Sequence, residues 1–226
     1  SYFLSPIGYV CVAILAGLYG FYYFMILSVR SSTYISSAVY SSMFMWSMMI
    51  IPILTMKSMS DEKKNKTDQA LLTAPVGVGG IVTGKFLAAL CVYAIPVIGS
   101  LIPAFVISLC TDSMPWASVM GNVIGALLYG AAMIAIGVFI SSLTESQIIA
   151  AIGTFGVSIL LTVIDQFGSV GNSAVIGTIA SWISFNSRYQ PFTSGIFNIS
   201  SVVFFLSVAA VFVFLTARKL ESRRWN

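Results

Sequence analysis

The chain has 226 residues, of which 58% are hydrophobic and only 8% charged, and its mean hydropathy is +0.96. Soluble domains carry about 25% charged residues, so this composition excludes an ordinary water-soluble domain and points to a chain that lives in a bilayer. Its formal net charge of +4 comes from basic residues gathered mainly in two segments, which argues against nucleic-acid binding, and the absence of histidine excludes imidazole catalysis and imidazole metal sites.

A helix needs about 20 apolar residues to cross the hydrocarbon core. Six stretches without Asp, Glu, Lys or Arg approach or reach that length, at about 7–27, 39–56, 86–109, 118–142, 148–164 and 198–217. The first ends in the aromatic run Phe21-Tyr22-Tyr23-Phe24, and Ser28 to Ser37 supplies a polar turn. The second is rich in methionine (Met43, Met45, Met48, Met49), and Pro52 predicts a bend near its end. Pro96 and Pro103 predict bends in the third, which Thr111 to Pro115 closes. In the fourth, Gly121 and Gly125 form a GxxxG pair followed by Gly130 and Gly137. Such spacing lets helix backbones approach closely in lipid, within the chain or against another subunit.

Leu143 to Gln147 is a short link to the fifth stretch, and Asp165 lies just past that stretch. Residues 166–187 are also uncharged, but their apolar core, Ala174 to Phe185, is about a dozen residues long and flanked by Gly168, Gly171, Asn172 and Asn186. That length predicts a re-entrant or interfacial segment rather than a seventh span. The cysteines, Cys11, Cys91 and Cys110, lie in or beside apolar runs without a CxxC pair and read as small apolar packing residues.

Charge sets the orientation. With six spans, Lys57, Lys63, Lys64, Lys66, Lys85, Arg218, Lys219, Arg223 and Arg224 fall on one side, and only Arg30 and Arg188 on the other. Nine basic residues against two is the bias of a cytoplasmic face. Both termini are therefore expected in the cytoplasm, with 166–197 outside.

The loop after the second span carries the functional signal. From Ser60 to Pro75 the sequence predicts a helix: Ser60 as N-cap, Asp61 and Glu62 at the positive end of the dipole, and Glu62→Lys66 and Lys64→Asp68 as i,i+4 pairs. Its late residues Ala70, Leu71 and Leu72 are apolar, and Pro75 with Gly77, Gly79 and Gly80 stops it. A cytoplasmic helix with an apolar end calls for a partner, or for a membrane surface on which its leucines rest. Gly79 to Phe86 fits G-x-x-x-x-G-K but places Phe86 where Ser or Thr would bind magnesium, and no strand precedes it. It is not a nucleotide site, so ATP-driven work requires another subunit.

These residues resemble the type-2 ABC exporter permeases, in particular the branch related to gliding-motility and copper-enzyme-maturation permeases. The resemblance rests on Ser1 to Val10, on Glu62-Lys63-Lys64-Asn65-Lys66-Thr67 with Leu71-Leu72-Thr73-Ala74-Pro75 and Gly84-Lys85-Phe86, on Ser141 to Gln147, and on Leu220 to Trp225. Lys66 departs from the pattern, standing where many relatives have glycine.

The resemblance implies an all-α integral membrane protein: a single permease domain over 1–226 with six transmembrane helices, a coupling helix at about 60–75 and extracellular helices at about 166–197. It implies a multi-pass protein of a prokaryotic cytoplasmic membrane that pairs with cytoplasmic ABC ATPase subunits and with a second permease, as homodimer or heterodimer. ATP and magnesium would then be bound by the partner ATPase, with no cofactor, metal or catalytic residue on this chain. The ATPase-coupling role would fall on Glu62, Lys63, Lys64, Thr67, Leu71, Leu72, Pro75 and Glu145.

Two other classes compete. A secondary transporter usually places ionisable residues inside its spans, which these stretches lack; a non-transporting membrane scaffold subunit would look like the permease. The aromatic- and methionine-rich spans suit a hydrophobic or amphipathic substrate, and equally suit an ordinary lipid-facing surface.

Overall fold

The computed structural model describes residues 6–28, 35–64, 77–110, 115–170 and 182–224. The described residues contain no strand. Their helices are α1 (Pro6–Ser28), α2 (Ile35–Thr55), α3 (Lys57–Lys64), α4 (Val78–Gly99), α5 (Leu101–Cys110), α6 (Trp116–Leu143), α7 (Gln147–Val170), α8 (Phe185–Thr193) and α9 (Ile199–Arg224). Among the described residues, six helical stretches are long and apolar enough to cross a membrane: Gly8–Ile26, Ile35–Lys64, Val78–Leu109, Trp116–Leu143, Gln147–Ile164 and Ile199–Ser222. The second joins α2 to α3 and the third joins α4 to α5.

Several helices outrun the charge-free stretches, because a helix propagates wherever its backbone bonds can form. α4 begins at Val78, so Lys85 lies inside it rather than in the preceding loop. α7 continues to Val170, so residues 166–170, expected in a separate segment, extend the fifth helix, which meets no proline there. α8 has nine residues, a rise of about 14 Å, less than half the thickness of a bilayer core. The rest of the expected segment, 171–181, lies outside the described residues.

α6 is the axis of the bundle. Within its apolar window 72% is buried, against 22% for α1 and α9 and 17% for α7. Lipid offers helices no hydrophobic drive to associate, so close backbone approach through small residues holds them together. A Cβ built on Gly125 would stand 2.7 Å from Phe192 of α8, and one on Gly130 or Gly137 would overlap Tyr93 of α4 or Thr55 of α2. Gly121, the other half of the GxxxG pair, meets nothing within 4 Å. Three of the four glycines are thus consumed by packing inside the chain.

The remaining packing fixes directions. Tyr93 donates to Ser47 at 3.1 Å, Tyr40 and Ser100 share a hydrogen bond of 2.6 Å, and Lys85 donates to the Ser58 carbonyl at 2.8 Å. Residue numbers fall along α2 as they rise along α4, so the two are antiparallel. Ring contacts of Tyr129 with Phe205 and of Phe139 with Phe212 make α6 and α9 parallel. α2, α6 and α9 therefore end together, at the lysine-rich end. At the opposite end α8 sits within an aromatic cluster: Phe44 stacks on Tyr189 at 4.8 Å and lies 4.5 Å from Tyr129, and Phe185 meets Phe205 edge-on.

Prolines shape the long stretches as their chemistry requires. Pro52 removes one backbone donor from α2, which ends three residues later, and the chain turns through Met56 into α3. Pro96 and Pro103 bracket the break between α4 and α5 at Ser100, whose hydroxyl donates to the Val97 carbonyl at 2.5 Å.

Candidate functional site

The lysine-rich end gathers α3, the start of α4 and the α6–α7 link into one polar assembly. Its centre is Ser141, fully buried near the C-terminus of α6. The turn at Met56 interrupts the ladder between α2 and α3, so the first amides of α3 need acceptors from elsewhere. Ser141 Oγ accepts from the Met59 and Ser60 amides at 3.1 Å each and donates to the Met56 carbonyl at 3.0 Å. One side chain from α6 thus caps a helix that lies 82 positions away in sequence.

This corrects the local reading of the N-terminus. Ser60 lies inside α3, which begins at Lys57, and its hydroxyl donates back to the Met56 carbonyl instead of accepting from an amide. A serine within a helix commonly bonds a carbonyl one turn back, and a sequence scan cannot tell that bond from a cap.

Lys63 makes the reciprocal contact. Its ammonium is buried and donates to the carbonyl of Ser142 at the end of α6. Cationic groups are favoured there, where carbonyls lack intrahelical partners. Asp61 Oδ1 accepts from the side-chain Nε2 of Gln147 at the start of α7. Glu62 pairs with Lys85 of α4, with the two side chains 30% and 18% exposed. Lys85 also donates to the Ser58 carbonyl and lies 3.4 Å from the Met59 sulfur. The lysine of the G-x-x-x-x-G-K pattern is therefore a helical residue bound to α3.

Lys64, by contrast, is exposed. Together with Glu145, Ser146, Gln147 and Ile148 it lines a cleft of about 390 Å³ between α3 and the start of α7. Of the residues expected to form the site, Glu62, Lys63, Lys64 and Glu145 are thereby brought to one end of the bundle. Thr67, Leu71, Leu72 and Pro75 lie outside the described residues, as do Lys66 and Asp68. Sequence reasoning missed Ser141, Ser142, Gln147 and Lys85 as partners of α3, although the Ser141 to Gln147 stretch and Gly84-Lys85-Phe86 had both drawn notice.

Chemically the assembly is a mechanical joint. Among the described residues no group of three or more Cys, Asp or Glu could hold a metal ion. The side chains of Asp61, Glu62 and Lys63 are spent on binding α7, α4 and α6, which leaves the cleft beside Lys64 and Glu145 as the part presented outward.

Residues 22–221 match the profile of a family described as ABC-2 family transporter protein. No curated protein matches the chain.

Proposed function

The chain belongs to the ABC-2 transporter family, and on that premise we propose that it is the permease subunit of an ATP-driven exporter whose ATPase docks at the lysine-rich end. As a family member it is a multi-pass membrane component of an ABC transporter. The observation that carries the finer reading is the α3 joint: a short helix is fastened by Ser141 and Lys63 to the most buried span and by Lys85 to α4, beside an open cleft edged by one basic and one acidic residue. A docking ATPase would engage α3 together with the segment after it, through Lys64, Thr67, Leu71, Leu72 and Pro75, with Glu145 as a second contact. Glu62 and Lys63 act one step inside, holding α3 to α4 and α6.

ATP binding and hydrolysis, with magnesium, occur on the partner, and this chain does no covalent chemistry. Its work is a shift of population between conformations, which requires that the ATPase engage those conformations differently. In this reading the chain is a single domain in the cytoplasmic membrane of a prokaryote with both termini inside. It pairs with a second permease, identical or not, and its apolar walls suit a hydrophobic or amphipathic substrate.

The test is isolation of the tagged chain from native membranes in mild detergent. The proposal expects an ATPase subunit with a complete phosphate-binding loop to co-purify, and expects the complex to hydrolyse ATP. A chain recovered without any ATPase, whose transport instead follows an ion gradient, would overturn it.

A further inference from the structure

A groove of about 550 Å³ runs between α1 and the α4–α5 break, walled among others by Val12, Ala16, Gly20, Ile95, Gly99 and Ile102. It exists because Pro96 and Pro103 interrupt the third span and because Gly20 and Gly99 bring no side chain to its walls; a Cβ on either would meet nothing within 4 Å. Its walls run from Val12 to Phe24 on α1 and from Ile95 to Ile107 on α4–α5, in each case about 18 Å of helix. Both walls belong to membrane-spanning stretches, so the groove opens at hydrocarbon depth.

Three occupants compete there. Water needs two to four polar partners, and the groove offers almost none: the Tyr40 and Ser100 hydroxyls bond each other, and the Tyr23 hydroxyl is fully buried. A helix of another subunit, about 10 Å across, would lie over the groove without filling its depth. The groove surface is also far below the ~800 Å² per partner of a stable protein interface. An extended hydrocarbon chain fits on every count: it is thin and apolar, and a length near 18 Å compares with the ~15 Å depth of one leaflet.

We infer that this groove is a resident-lipid site, holding one acyl chain of a membrane phospholipid between α1 and the broken third span. Gly20 and Gly99 keep it open, and the proline-bounded break at Ser100 sets its width.

The test uses the full chain in nanodiscs containing a diacyl phospholipid with a photoactivatable diazirine on its acyl chain. After illumination, peptides covering 12–24 and 95–107 should carry more label than the lipid-facing stretch of α7 around Ile152 and Leu160, which reports bulk lipid. Gly20→Leu and Gly99→Leu, made separately, should each lower groove labelling by about ten-fold and leave α7 labelling unchanged. A spin-labelled phospholipid should show an immobilised component on the wild-type chain, a readout that needs no variant. Labelling at the groove no higher than on α7 with no immobilised lipid would overturn the inference. So would disulfide cross-links between two copies of an Ile102→Cys variant formed in place of lipid adducts.

Discussion

Replacing Ser141 with alanine removes one hydroxyl and strands two backbone amides at once, while the Met56 carbonyl keeps the Ser60 hydroxyl as its donor. The Met59 and Ser60 amides lose their acceptor and the Met56 carbonyl loses one of its donors, in a region where Met59 and Ser60 are 2% and 0% exposed. A serine cap is worth about 1 kcal/mol, and a buried donor left unsatisfied costs about 1–3 kcal/mol. Water can reach the start of α3 by local opening, so the combined loss should be limited to about 1.5–3 kcal/mol. At 1.4 kcal/mol per decade, the open population of α3 should rise roughly ten- to a hundred-fold.

Hydrogen exchange on the chain in nanodiscs reads this directly. The peptide containing residues 56–64 should exchange faster by that factor, with the centre of α6 around Ala132 unchanged. Ser141→Thr keeps the hydroxyl and should stay close to wild type. If exchange in S141A remains within about a factor of two of wild type, Ser141 does not hold α3 and the joint is wrongly drawn.

Gly130→Ala drives a methyl into the Tyr93 ring and should destabilise the bundle by about 1–3 kcal/mol, read as lost thermal stability in detergent; Gly121→Ala, with open space around it, should be neutral or slightly stabilising. Glu62→Lys and Lys85→Glu should each loosen α3, while the double swap restores the ion pair but not the bond from Lys85 to the Ser58 carbonyl, giving a coupling of about 1 kcal/mol or less for this partly exposed pair in a double-mutant cycle. Additive effects would show that the pair is not formed. Lys64→Glu combined with Glu145→Lys should weaken ATPase binding about ten-fold with no change in melting; unchanged binding would remove this cleft from the docking surface.

The six long helices were legible because hydrocarbon admits almost no charge, and gaps in the charge pattern mark spans without knowledge of any contact. Helix ends were less legible. Lys85 looked like the last residue of a loop, yet a lysine is tolerated inside α4 where its ammonium can reach Glu62 and the Ser58 carbonyl. Ser60 looked like a cap because it precedes Asp61 and Glu62, but the turn at Met56 had already started the helix and the cap comes from Ser141. That bond joins elements some 82 residues apart, so no local pattern announces it. Glycines 121, 125, 130 and 137 were visible as small residues, and only the fold tells three used faces from one open one.

The same glycines constrain how a push on α3 can travel. At Gly125, Gly130 and Gly137 the neighbouring side chain rests where a Cβ would be, so α6 cannot move toward its neighbours at these three positions unless they shift. Close-packed interiors transmit displacement rather than absorb it. Ser141 and Lys63 fasten α3 to the end of this helix, and through Thr55 and Tyr93 a displacement of α6 would reach α2 and α4. Such motion has to be taken up where packing leaves room. The groove between α1 and the α4–α5 break is such a place, and its break at Ser100 lies between two prolines that weaken the helix ladder. An acyl chain seated in that groove would be compressed or released as the third span changes its bend, which would put it in the same mechanical circuit as the joint at the lysine-rich end.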